Sequence, residues 1–243
     1  MKAEHPTIPI HSHHNFIDML TEANPKLKDY INIYEWNTRQ KSLIYEISKP
    51  ATNLYVVLDG RVFVERDTYD GNNYVNYVAQ SFSPLSMFGF ESISQENGVY
   101  TASARPAQLN TQDPCTIASI DARAAKESLQ IDPIFFSTCM NQANEASKFV
   151  ERQRNGIAYK LVKARVAETL LLLCPTGSDV LHVKHSDIAS CIAAYRETTS
   201  STLEDLQFLG LIQLGNKEIN ILDRNKLIHL AAENGRRSDM KDI

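Results

Sequence analysis

The alternation of hydrophobic and polar residues divides the chain into a strand-like part and a helical part. Short runs rich in β-branched and aromatic residues lie between Tyr34 and Ile120, at 53–58, 61–66, 74–78, 100–104 and 115–120. The dipeptides Asp59-Gly60 and Asp70-Gly71 between them are typical of hairpin turns. Short strands joined by such turns predict an antiparallel, jelly-roll-like β-roll over residues 34–120. Before it, we expect residues 1–33 to form an N-terminal arm with one or two short helices over 15–33.

The pattern becomes helical after Asp121. Asp121 is expected to cap a short helix that ends at Leu129. Asp132-Pro133 predicts the start of a longer helix, because Asp is a favourable N-cap and Pro fits the first helical position. This helix is expected to end near Gly156, and another to run over 159–173.

The longer helix carries a narrow stripe of mostly small or apolar residues at steps of three and four. The stripe consists of Phe136, Cys139, Ala143, Ala146, Val150, Gln153 and Ile157. A strict three-four step is typical of a coiled-coil seam. We therefore expect residues 121–157 to form a linker and a dimerisation helix, with Phe136, Cys139, Ala143, Ala146, Val150 and Ile157 at the interface. The alternative is that the stripe packs on the chain's own β-roll.

The C-terminal segment predicts a winged helix-turn-helix over residues 158–243. A short helix through Ile192 and a turn at 193–195 precede a second helix over 196–209, which Gly210 ends. Apolar runs then flank Gly215-Asn216, a hairpin turn. In this arrangement the second helix enters the DNA major groove with its N-terminus first.

The start of that second helix is polar. Arg196 can bond guanine O6 and N7, and Glu197 can accept from cytosine N4. Hydroxyl groups and free backbone N–H groups at a helix N-terminus can bind phosphates. The expected DNA-binding residues are Tyr195, Arg196, Glu197, Thr198, Thr199, Ser200, Ser201 and Lys217. The alternative is an ordinary solvated helix start.

These motifs together resemble the Crp–Fnr superfamily of bacterial transcription regulators, over roughly residues 35–230. The resemblance rests on residues 54–62 in the β-roll, 88–91 at a Phe-Gly turn, 165–171 after the long helix and Arg196-Glu197-Thr198. It implies an α+β protein with an effector-sensing β-roll, a long dimer helix and a C-terminal DNA-binding domain. Its implied partners are double-stranded DNA, a second copy of the chain and RNA polymerase.

The resemblance also shows departures from the cyclic-nucleotide-binding members. Tyr100-Thr101 stands where those members carry an Arg-Ser pair that holds the phosphate, and Val150-Glu151 stands where they carry Thr-Ser. Tyrosine lacks the permanent charge and forked donors of arginine. We therefore expect no cyclic-AMP binding, and the effector is left unidentified. The candidate pocket residues are Glu91, Tyr100, Thr101, Arg105 and Val150.

Composition, charge and cysteine positions limit the classes of protein to which the chain can belong. The chain has 243 residues, 43% hydrophobic, with a formal net charge of −4. No apolar run approaches the ~18 residues of a membrane span, and the first residues lack a signal-peptide core, so we expect a cytoplasmic protein. The four cysteines, Cys115, Cys139, Cys174 and Cys191, fit core positions better than a disulfide framework or an iron–sulfur cluster, with Cys115 as the alternative redox residue.

We also considered two other functions, a metalloenzyme and an effector-binding module without DNA readout, and a metal site in the histidine-rich tract 11–14. A cupin-like metalloenzyme needs histidines inside the barrel, and none lies between Tyr34 and Ile120, so we expect no enzyme and no cofactor. An effector-binding module without DNA readout would not need residues 196–222. The tract 11–14, with His5, could hold metal or haem, but we favour a mobile polar arm and predict no metal site.

Overall fold

The computed structural model describes residues 17–36 except 19 and 23, and residues 43–67, 73–81, 85–94, 98–107, 115–174 and 179–233. The chain forms two compact units. The first comprises Met1–Asp67, Asn76–Ala107 and Thr111–Lys148, and the second comprises Phe149–Ile243 with Thr68–Val75 and Gln108–Asn110. The predicted turn Asp70-Gly71 and the histidine tract lie outside the described residues.

The first unit contains the expected antiparallel β-roll, and the α+β class is confirmed. One sheet has the order β1-β7-β2-β5, formed by β1 (Ile31–Trp36), β7 (Cys115–Asp121), β2 (Asn53–Asp59) and β5 (Met87–Phe88). The other has the order β4-β3-β6, formed by β4 (Asn73–Gln80), β3 (Arg61–Asp67) and β6 (Ser103–Pro106). A short helix, α1 (Glu91–Ser94), follows the Phe-Gly turn after β5.

The core of the first unit explains why these runs form strands. Residues 54–58 of β2 are all buried, which is why the run is continuously apolar. Leu54, Val56 and Leu58 belong to a cluster that also contains Met87, Ala118, Ile120, Phe135 and Cys139. Burial of each large apolar side chain stabilises the fold by about 1.5–3 kcal/mol.

Two boundaries in the first unit differ from the prediction. Residues 31–33 are not helical: a 3-10 helix covers Pro25–Tyr30, and Ile31 opens β1. Strand pairing determines the conformation of these residues, because β1 pairs with the edge of β7 that β2 leaves open. In this pairing Ile31 lies opposite Ile120. The strand expected at 100–104 begins only at Ser103, since the backbone of Tyr100 pairs with Ser48 and Lys49 and the register of β6 with β3 ends at Ser103.

Both predicted helix starts after the β-roll are confirmed. Asp121 caps α2 (Ala122–Ile131), and its carboxylate accepts from the backbone N–H groups of Arg123 and Ala124. Asp132 caps α3 (Pro133–Tyr159) and accepts from the N–H groups of Ile134 and Phe135 at 2.9 and 3.1 Å. The boundary between the two units falls within α3, after Lys148.

The second unit is a helical domain with a small sheet. Its elements are α4 (Val162–Leu173), β8 (Val180–His182), α5 (His185–Ile192), α6 (Arg196–Phe208), β9 (Ile212–Leu214), β10 (Glu218–Ile221) and α7 (Arg224–Ala232). The sheet has the order β8-β10-β9, so the predicted hairpin has a third strand that the sequence pattern did not predict. Helix α7 packs on α4 and was also not predicted.

Candidate nucleic-acid interface and effector site

The turn between α5 and α6 fixes the direction of the second helix. Ala193 follows α5 in the left-handed conformation, with φ of 49°, and the N–H of Ala194 donates to the carbonyl of Ala189 at 3.1 Å. This is a helix C-cap that most often uses glycine. Gly210 ends α6 in the same way, with φ of 69°. Helix, turn, helix and hairpin therefore follow one another as the sequence predicts.

Five of the predicted DNA-binding positions are exposed at the start of α6. Tyr195, with 70% of its surface accessible, directly precedes the helix, and Arg196, Glu197, Thr198 and Ser201 are exposed on its first two turns. No side chain among the described residues caps this helix start. Its first N–H groups are therefore free to bind an anion, and the helix dipole favours one there.

Two hydroxyl residues of the predicted set are turned away from this surface. Thr199 is buried, and its Oγ1 donates to the carbonyl of Tyr195 at 3.0 Å, so its assignment to DNA is corrected. Ser200 is half-buried, with its Oγ 3.0 Å from Nδ1 of His185. A three-four helical repeat places these side chains on the inner face, while 197, 198 and 201 remain outside.

His185 is a residue that the sequence reasoning missed. It opens α5 and pairs with Ser200, and burial and the charge of nearby Arg196 lower its pKa, while Glu204 opposes that shift. The neutral imidazole is therefore favoured beside the recognition helix. Nothing in the local sequence shows this contact, because it joins two helices fifteen residues apart.

The hairpin beyond α6 presents Lys217 to solvent. Gly215 leaves room for the side chain of Glu218, whose Cγ would lie 2.7 Å from a Cβ at this position. Lys217 itself adopts φ of 61° and is exposed. The N–H of Leu214 donates to Oε1 of Gln207 at 2.7 Å, which ties the hairpin to α6. Lys217 thus lies on a wing that is held against the second helix.

The β-roll brings Glu91 and Thr101 together. Oε1 of Glu91 accepts from the N–H of Thr101 at 3.1 Å and from its Oγ1 at 2.5 Å. Nη2 of Arg66, which the sequence reasoning did not select, donates to the same hydroxyl at 3.1 Å. Arg66 lies on β3, so its proximity to Thr101 depends on the folding of the β-roll. The polar groups of this candidate site therefore bond one another.

Tyr100 belongs to an aromatic stack. Only 3% of its surface is accessible, and its ring stacks on Tyr45 with centroids 3.8 Å apart. Its hydroxyl donates to the carbonyl of Asn53 at 3.0 Å. Tyr45 also stacks on Tyr55 and Phe88, and burial raises its pKa well above the usual value. Tyr100 thus occupies a neutral, buried core position.

Arg105 and Val150 do not join Glu91 and Thr101. The guanidinium of Arg105 makes a bidentate ion pair with Glu65 at 2.7 and 2.8 Å and lies over the ring of Phe63. This pairing corrects its assignment to the effector pocket, because its charge is already matched. Val150 is half-buried and belongs to the second unit, whereas the other candidates belong to the first.

The predicted dimer stripe separates into two adjacent faces of α3. Cys139 is fully buried in the chain's own core cluster and Ala146 is buried as well, so both assignments to a dimer interface are corrected. The accessible members are Phe136, Ala143, Val150 and Ile157, and Met140 lies on the same face. The sequence pattern combined the buried and the accessible residues because steps of three and four place side chains on two stripes about 60° apart around the helix.

The cysteines have the properties of core residues. Cys115 is buried, and burial raises its pKa to about 12, although its Sγ lies 3.6 Å from the carbonyl oxygen of Arg61. Burial likewise raises the pKa of Cys139 to about 12. A thiol with so high a pKa is a poor nucleophile. Among the described residues, no group of three His, Cys, Asp or Glu side chains could hold a metal ion, and no helix could span a membrane.

Comparison with known proteins gives consistent results. Residues 164–230 match the model of the Crp-like helix-turn-helix domain. The cAMP-activated global transcriptional regulator CRP of Pasteurella multocida is 25% identical over 187 residues, which cover 74% of this chain and 85% of that protein. A CRP-like cAMP-activated global transcriptional regulator of Mycobacterium tuberculosis is 23% identical over 196 residues, which cover 77% and 84%.

Solved structures support the same fold. FixK2 from Bradyrhizobium japonicum superposes with a TM-score of 0.69 at 18% identity, covering 84% of this chain and 98% of that chain. A CRP-family transcriptional regulator from Thermus thermophilus gives 0.66 at 21% identity, covering 83% and 97%.

The β-roll, the long helix and the Crp-like helix-turn-helix together define a DNA-binding transcription regulator. The chain carries a Crp-like helix-turn-helix domain at residues 164–230 and is similar, over about three quarters of its length, to curated CRP-type transcription regulators.

Proposed function

We propose that this protein is a homodimeric, sequence-specific regulator that binds a pseudo-palindromic operator through α6. The observation that carries the proposal is the exposed pair Arg196 and Glu197 on the first turn of the uncapped helix α6. Arg196 is assigned to guanine and Glu197 to the adjoining cytosine edge. Thr198, Ser201, Tyr195 and Lys217 are assigned to phosphates and sugars, which position the helix without reading the sequence.

The homodimer is proposed from the exposed apolar face of α3. Phe136, Met140 and Ile157 have 49%, 48% and 53% of their surface accessible, and Ala143 and Val150 lie between them on the same face. A twofold pairing of this face would bury all five residues in both copies. Two half-sites about one helical turn, roughly 34 Å, apart are then expected in the operator.

The proposed regulator does not respond to cyclic AMP. A phosphate at the family's position would need a guanidinium where Tyr100 stacks in the core, and free donors where Thr101 is bonded to Glu91. We propose that any effector of the β-roll is a different molecule and binds near Arg66. RNA polymerase is the proposed protein partner and the cytoplasm the proposed location.

The experiment is a base-substitution scan of an operator selected from random DNA by the protein itself. Arg196→Ala should weaken binding to this operator by about 1–3 kcal/mol and relax base preference at one position per half-site. Thr198→Ala should weaken all sequences about equally. Arg123→Ala, an exposed arginine of α2, is the matched control and should change neither. If Arg196→Ala keeps every base preference, Arg196 does not read the operator.

A further inference from the structure

A cavity of about 310 Å³ lies within the second unit. Its walls come from the C-terminal part of α3, from α4 and from the end of α5. Most of the lining is apolar, including Phe149, Ile157, Leu171, Leu172 and Ile192. Such a volume and lining are typical of a pocket for a small apolar ligand with few polar anchors.

Arg165 brings a cation to this cavity, and one of its donors has no partner among the described residues. Its Nη1 donates to the carbonyl of Ile192 at 2.5 Å. Its Nε is buried and has no hydrogen-bond partner among the described residues. An unpaired buried donor on a charged group is costly, and a partly buried guanidinium favours an anion bound beside it.

Within the part of the chain that the structure describes, no carboxylate is hydrogen-bonded to Arg165. Glu168 lines the same cavity, but its Oε2 accepts from Nζ of Lys160 at 2.9 Å. Burial lowers the pKa of Arg165. A guanidinium presents its donors in a planar fork that matches a carboxylate.

We propose that this cavity binds a small monocarboxylate with an apolar body. The carboxylate accepts from the guanidinium of Arg165, and the hydrocarbon body contacts Phe149, Leu171 and Leu172. The rest of the wall is mostly apolar, with Arg152, Gln153, Glu168 and Thr169 as its polar members, so one anionic group on a hydrocarbon body matches this lining better than a polyanionic nucleotide does.

The position of the site connects it to the helix-turn-helix. Gln153 on α3 and Arg165 on α4 both donate to carbonyls at the end of α5, those of Cys191 and Ile192. These carbonyls directly precede the turn that sets α6. A ligand on Arg165 therefore contacts the groups that hold the end of α5, and this consequence for DNA binding rests on the proposed function.

The test is calorimetric titration of the full chain with octanoate, and with octan-1-ol as the uncharged probe of equal length. Octanoate should bind with one site per chain, and octan-1-ol should bind at least about tenfold more weakly. Arg165→Met should weaken octanoate at least about tenfold while far-UV circular dichroism stays unchanged. Equal affinity for the two probes, or no octanoate binding up to millimolar concentration, would overturn the proposal.

Two charge-reversal variants on α3 test the proposal independently if the Arg165→Met protein does not fold. Arg152 is exposed and lines the cavity, whereas Arg154 is exposed and does not. Arg152→Glu should weaken octanoate severalfold and Arg154→Glu should leave it unchanged; equal effects would contradict the site. Octanoate binding only to a dissociated form would show that a second copy fills the cavity instead, which also overturns the proposal. Since no DNA is present, failure here leaves the operator experiment unaffected.

Discussion

Replacing Met140 with glutamate should dissociate the proposed homodimer without unfolding the chain. Met140 has 48% of its surface accessible and lies on the apolar face of α3 with Phe136 and Ile157. About half of the surface of Met140 can therefore still be buried at an interface. Full burial of a methionine stabilises by about 1.5–3 kcal/mol, so the remaining half contributes about 1 kcal/mol per copy, or about 2 kcal/mol per dimer.

Loss of that burial alone raises the dissociation constant by about 30-fold, since 1.4 kcal/mol is a factor of about ten. The substitution adds two like charges that lose water at the interface, each costing several kcal/mol when unpaired. The expected total is at least a thousandfold, about 4 kcal/mol. Sedimentation equilibrium over a concentration series measures this directly.

The matched control is Asn141→Glu, which adds the same charge to the neighbouring exposed position, about 100° around the helix from Met140. It should leave the dimer mass unchanged. Cys139→Ser should act differently from both, lowering stability rather than association, because Cys139 is buried in the chain's own core. A Met140→Glu protein that is folded and still dimeric at the lowest concentration would refute the assignment of this face.

Three further outcomes are expected. Calorimetry should find no cyclic-AMP binding tighter than about millimolar, about −4 kcal/mol; micromolar affinity that Arg66→Met abolishes would show that Arg66 replaces the missing arginine. The pKa of His185 is lowered in the folded state, so between the folded and the unfolded pKa the unfolded chain binds more protons than the folded chain. The free energy of unfolding of the second unit should therefore fall as the pH drops below about 6.5, the ordinary pKa of histidine. His185→Gln should flatten this dependence in urea titrations followed by circular dichroism, and an unchanged slope would contradict it. Asp132→Ala should destabilise the first unit by about 1–2 kcal/mol, measured through Trp36 fluorescence, whereas Asp132→Asn should cost less because it keeps the cap acceptor.

Local signals predicted most of the fold. The caps at Asp121 and Asp132 and the glycine at 210 act within a few residues, so the sequence alone placed these helix ends. Several strands of the β-roll were also visible, because their apolar runs are buried, as at residues 54–58. Strand β5, of two residues, and the first half of the largely exposed β1 were not predicted. Strand β8 and helix α7 were missed, since each depends on a partner elsewhere, β10 for β8 and α4 for α7.

The candidate sites were predicted less completely, for a related reason. A side chain's residue type shows what it could bind, but not what already satisfies it. Thr199 has the right hydroxyl for a phosphate, yet it bonds the carbonyl of Tyr195, and Arg105 has the right charge, yet it pairs with Glu65.

Contacts across the fold added the residues that the sequence did not reveal. Arg66 reaches Thr101 from 35 residues away, and His185 reaches Ser200 from the neighbouring helix. Arg165 belongs to the segment that the resemblance identifies as the helix after the long helix, but its Nε, which has no partner among the described residues, depends on the packing of α3, α4 and α5. In this chain, unsatisfied polar atoms therefore point to candidate ligand chemistry more directly than residue type does, because only the folded structure shows which donors remain free.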